Sequence, residues 1–79
     1  MSHSNTDEKL VRMANQIATF FLSQPENERV DGVAGHINKF WEVRMRARFF
    51  EMIDAGEGEF LPLVRDAAAH VKRPVKTPA

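Results

Sequence analysis

Residues 40–50, FWEVRMRARFF, carry two rhythms at once. Val43, Met45, Ala47 and Phe49 alternate with Arg44, Arg46 and Arg48, which is the two-residue period of a half-buried strand. Trp41, Met45, Phe49, Met52 and Ile53 instead recur at steps of four, four, three and one, the period of one helical face. A strand here has no partner, because the chain offers no second strand candidate. A helix gains Glu42–Arg46 as an i, i+4 pair and Arg48–Glu51 as an i, i+3 pair. The helical period prevails.

Working outward, Val30, Val33, Ala34, Ile37, Phe40 and Trp41 repeat at helical spacing just upstream. Gly32 and Gly35 interrupt them, each costing roughly 1 kcal/mol against alanine. They mark either a close approach by another helix or an irregular first turn. PENER, residues 25–29, reads as a polar connection. Before it, Leu10, Met13, Ala14, Ile17, Phe20 and Phe21 share one helical face over about residues 6–23, and Pro25 stops that pattern. Asn5 and Glu8 have the spacing of a capping box.

Downstream, Asp54–Gly58 is a stop followed by a turn, with Gly56 placed to cap the helix. A last helix is expected over about 61–72, with Pro62 in its first turn and Leu61, Val64, Ala67, Ala68 and Val71 facing inward. His70, Lys72 and Arg73 suit its negative end. The expected fold is all-α, a small bundle of three to four helices. It forms one domain over residues 6–73, between a flexible N-terminus (1–5) and a flexible C-terminal tail (74–79).

Composition narrows the function. Seventy-nine residues allow one small domain, of a size that often needs a staple or a partner. There is no cysteine, so disulfides and thiolate chemistry are excluded, in keeping with a reducing cytoplasm. His3, His36 and His70 are too scattered to pair as metal ligands. Eleven basic and eleven acidic residues cancel, which argues against a general nucleic-acid binder. Neither a secretion signal nor an apolar run of the ~18–20 residues needed to cross a bilayer is visible. The reading is a cytoplasmic chain without a membrane anchor.

No catalytic set emerges. His36 has Asn38 and Lys39 near it, and no nucleophile, base and orienting group assemble from them. What stands out is surplus. Phe20 and Phe21 point about 100° apart, as do Phe49 and Phe50, so a small core does not take all four. Val43, Ala47 and Phe50 form a second apolar stripe beside the first. Three arginines at the start of a helix oppose its dipole. They are either a solvated face beside Glu42, Glu51 and Asp54, or a partner-docking face, where arginine and aromatic residues are enriched.

Two segments carry a family resemblance: KLVRMANQIATFF (9–21) and VAGHINKFWEVRMR (33–46). Together they resemble the delta subunit of soluble NAD-dependent formate dehydrogenases, through Met13, Asn15, Gln16, His36, Phe40, Trp41, Arg44, Met45 and Arg46. Proline is common in that family where Val43 stands. The resemblance implies a small accessory chain, without a cofactor of its own, linked to assembly or stability of the complex. It implies larger subunits as partners, carrying a molybdenum or tungsten bis-pterin centre, iron–sulfur clusters and FMN, and converting formate and NAD to carbon dioxide and NADH.

Residues and resemblance together give a non-catalytic subunit that docks through His36, Trp41, Arg44, Arg46, Arg48 and Phe50. The competing reading is a self-associating module that uses the same stripe in a homo-oligomer. The arginines divide within this set. Arg46 has Glu42 one turn before it and Arg48 has Glu51 after it, whereas Arg44 has no acidic residue three or four positions away. Arg44 is therefore expected to meet an external carboxylate.

Overall fold

The computed structural model describes the backbone of residues 2–74 and the side chains of residues 6–74. Four helices follow in order: α1 (Ser2–Phe21), α2 (Glu26–Phe40), α3 (Val43–Ala55) and α4 (Pro62–Ala68). No strand occurs among the described residues, so the all-α expectation holds. The tail expected at the C-terminus lies outside the described residues from position 75 onward, as do the side chains of positions 1–5.

Three boundaries differ from the sequence reading, each for a local reason. α1 already runs through Asn5, so the Asn5–Glu8 capping box is not its start. PENER is not a connection: Pro25 sits at the N-cap of α2 with φ −54° and ψ 144°, and Glu26 and Glu28 occupy the first turn. Carboxylates there face the positive end of the helix dipole. The last helix stops at Ala68 rather than Lys72. Two turns replace it, with His70 N–H donating to Ala67 C=O (2.8 Å) and Val71 N–H to Ala68 C=O (3.2 Å).

The stretch 40–50 is neither a strand nor a continuous helix. α2 ends at Phe40, Trp41 (φ −87°, ψ 136°) and Glu42 (φ −70°, ψ 160°) are extended, and α3 begins at Val43. No proline or glycine forces this break. What the break achieves is tertiary: Trp41 is buried and meets Phe49 edge-on, with ring centroids 5.8 Å apart. Edge-to-face packing of this kind adds to what burial of the rings already contributes. At the far end, Gly56 takes φ +71°, its N–H donates to Ile53 C=O, and Glu57 N–H donates to Met52 C=O. That is a Schellman ending, which a left-handed glycine permits.

The core gathers around α4, which packs on α2, α1 and α3. Ala14 and Ala18 of α1, Val33 and Ile37 of α2, Phe49 of α3 and Val64 and Ala67 of α4 are fully enclosed. Alanines at the crossings let so short a helix sit close to its neighbours. Gly32 has a related use: a Cβ there would lie 2.3 Å from the Phe21 ring, which rests on α2 at that point. Gly35 meets nothing, so the close-approach reading applies to the first glycine alone.

Two asparagines hold the ends of the α4 segment. Asn15 donates from Nδ2 to Glu59 C=O and accepts from Leu61 N–H, both at 2.9 Å. Asn38 donates to His70 C=O (3.3 Å) and accepts from Lys72 N–H (2.8 Å). Each side-chain amide thus pairs with the backbone of residues i and i+2 as a neighbouring strand would. The second clamp takes the Lys72 N–H that a longer α4 would have turned toward Ala68 C=O.

Candidate docking face

The three arginines have three different fates. Arg48 donates from Nε and Nη2 to the two oxygens of Asp7 (2.9 and 2.6 Å) and from Nη1 to Glu51 (3.0 Å), with Glu57 at 3.8 Å. Hydrogen bonds to Asp7 first, then Glu51, raise its pKa above the ordinary arginine range. It ties α3 to α1 and to the loop after α3. Arg46 does not pair with Glu42. Its Nη1 donates to Lys72 C=O at 2.7 Å, and its Nε is enclosed without a partner among the described residues. Arg44 is exposed and makes no hydrogen bond or ion pair with any described residue.

Two of the expected docking aromatics are in the core. Trp41 is 6% exposed and Phe50 5%. Phe50 packs on Phe49 and is covered by the Arg73 guanidinium 4.2 Å from its ring centre. Arg73 in turn forms a two-pronged pair with Asp54 (3.0 and 2.9 Å), which lowers the Asp54 pKa through that hydrogen bond. Trp41 and Phe50 present almost nothing outward. A cation stacked on its ring has taken Phe50 out of the stripe that Val43, Ala47 and Phe50 suggested.

The surplus apolar surface lies elsewhere. Phe20 is 61% exposed and Phe40 63%, with Val43, Leu22 and Met13 also outward. Phe20 stands edge-on to Phe21, their centroids 5.0 Å apart. Gln16, Ile17, Phe20, Phe21 and His36 line an apolar groove of about 380 Å³ between α1 and α2. His36 extends it by packing on Phe40 at 4.7 Å, and Lys39 Nζ lies 5.6 Å from the centre of the same Phe40 ring. Of the six predicted site residues, His36 and Arg44 are exposed, Arg46 and Arg48 serve the chain's own packing, and Trp41 and Phe50 are core. Phe20, one of the four surplus phenylalanines, and Phe40 were not assigned to the docking set. The i, i+4 spacing of His36 and Phe40 was the available signal for the second.

A second, more open hollow of about 820 Å³ lies along α1, lined by Asp7, Glu8, Glu57 and Glu59 among others. Asp7 and Glu57 already face Arg48. Among the described residues no group of three or more His, Asp or Glu side chains is placed to hold a metal ion. No helix among the described residues is long and apolar enough to cross a membrane.

Residues 9–68 match the family described as the NADH-dependent formate dehydrogenase delta subunit, FdsD. The chain belongs to this family. Neither a curated protein nor a solved structure matches it. The matched span runs from the middle of α1 to the last residue of α4, so the delta-subunit region takes in α2, α3, α4 and the α2–α3 break. The residues that carry the resemblance to the delta subunit separate by location. Asn15, Trp41, Met45 and Arg46 build the fold, while Met13, Gln16, His36, Phe40 and Arg44 face outward.

Proposed function

We propose that this chain is a non-catalytic accessory subunit of a cytoplasmic, NAD-dependent formate dehydrogenase, supporting assembly or stability of the complex through protein–protein contact. On this reading the bis-pterin metal centre, iron–sulfur clusters and FMN all reside in the larger subunits. Membership of the delta-subunit family carries the proposal. It is supported by a surface that combines exposed phenylalanines with cations the chain itself does not use. Such patches mark interaction sites on small proteins.

The test is co-production of the tagged chain with the larger subunits. They are expected to co-purify, and omission of the chain is expected to reduce the yield or lifetime of active complex, read as formate-dependent NADH formation. Formate oxidation by the purified chain alone, or a complex of unchanged yield and lifetime without it, would refute the accessory role.

A further inference from the structure

The apolar groove continues through His36 and Phe40 to Lys39. Ile17, Phe20 and Phe21 of α1 face His36 of α2 across the groove, His36 packs on Phe40, and Lys39 lies against that ring. Arg44 follows four residues after Phe40, across the α2–α3 break. Neither Lys39 nor Arg44 has an anion within reach among the described residues. Arg48 and Arg73 are held by Asp7 and Asp54, and of the cations without an ion pair among the described residues Lys39 is the one that lies against a ring beside the groove.

We propose that the α1–α2 groove is the docking site for an acidic amphipathic helix of a partner subunit. Its apolar stripe would lie over Phe20, His36 and Phe40, with its carboxylates reaching Lys39 and Arg44. This rests on the accessory-subunit reading above and assigns it a surface and a partner chemistry. A channel between two helices, with side chains one turn apart on its wall, accepts a third helix through anchors at i, i+3 or i+4, and i+7. Strand addition is ruled out by the lack of any sheet edge among the described residues.

The experiment uses the full chain co-produced with the larger formate dehydrogenase subunits. The photo-crosslinking residue p-benzoylphenylalanine replaces Phe40 in one preparation and Glu59, on the acidic side, in another. The doubly reversed chain Lys39→Glu/Arg44→Glu is compared with Lys39→Arg/Arg44→Lys. The Phe40 probe is expected to crosslink to a larger-subunit helix that bears an apolar stripe bordered by Asp or Glu. Charge reversal is expected to lower the retained larger subunits by on the order of tenfold at low salt, while the conservative pair retains them. Both variants are expected to unfold at the wild-type temperature.

Other outcomes overturn the proposal in distinguishable ways. Crosslinking of Phe40 to a second copy makes the groove a homodimer interface. Crosslinking from position 59 alone moves docking to the acidic side and leaves the accessory-subunit reading standing. Retention unaffected by charge reversal removes the acidic helix. Wild-type chain that retains no larger subunit removes the accessory reading, and this one with it.

Discussion

The two ends of α3 are built differently. At the C-terminal end every functional group is used: Gly56 closes the backbone, Arg48 holds Asp7 and Glu51, Phe49, Phe50 and Met52 are buried, and Asp54 holds Arg73. At the N-terminal end Glu42 makes no side-chain cap, Val43 is exposed, and Arg44 stands in the first turn with no described partner. A cation in that turn opposes the helix dipole. One end is explained by the chain's own stability and the other is not. The difference locates where this molecule answers to something beyond itself.

The hardest test of that contrast is at the used end. Phe49 is fully buried and meets Trp41, Phe50 and Phe60, so Phe49→Ala should cost about 3–5 kcal/mol. In a domain this small that leaves little folded protein, measurable by urea unfolding. A loss below ~1 kcal/mol would mean that α3 does not anchor the core.

Asn15→Ala comes next. It strands Leu61 N–H and Glu59 C=O, and should cost roughly 1–3 kcal/mol by the same measurement. Asn38→Ala should cost less, because its bonds lie at the exposed edge.

The Asp54–Arg73 pair is smaller still, since both side chains are more than half exposed. Its sign is defined. The Asp54 pKa is lowered in the folded chain, so the pair stabilises above the unfolded-state carboxylate pKa and is lost as pH falls through the folded value. Asp54→Asn should therefore flatten the acid limb of the stability profile and change little at alkaline pH. An unchanged acid limb removes the pair from the account.

Arg44→Ala should have the smallest effect on the isolated chain, within ~0.5 kcal/mol in thermal unfolding, as for other unpaired surface residues. Its effect belongs to assembly, read by co-purification across a salt series. Marked destabilisation of the isolated chain would show that both ends of α3 serve the fold alike.

Helical identity was readable in the sequence because period 3.6 persists through Ala14, Ile17, Val33, Ile37, Phe49 and Met52. Gly56 was readable as a cap because its backbone requirement is local. The rest was not, since it depends on contacts far apart in the chain. Asp7 and Arg48 are separated by 41 positions, and no i, i+4 argument finds them. Asn38 was passed over beside His36, yet its amide holds the backbone just past α4, at His70 and Lys72. Phe50 looked like a docking residue because nothing nearby showed that Arg73 would cover it. Arg44 was identified for the converse reason: a missing local partner is visible in the sequence, and the fold supplies no distant one among the described residues.

The paired amides give residues 59–72 a character that burial alone does not. Leu61 and Lys72 have their N–H groups held by side chains of two different helices, at either end of a segment whose middle is α4. Amide hydrogen exchange at these two positions reports release of an asparagine and not the fraying of a helix. If the clamps open independently, Leu61 and Lys72 exchange at unrelated rates. If α4 lifts away from α1 and α2 as one piece, they exchange together, and at the rate of the Val64 amide between them. The segment would then be a single latch whose release opens the core gathered around α4.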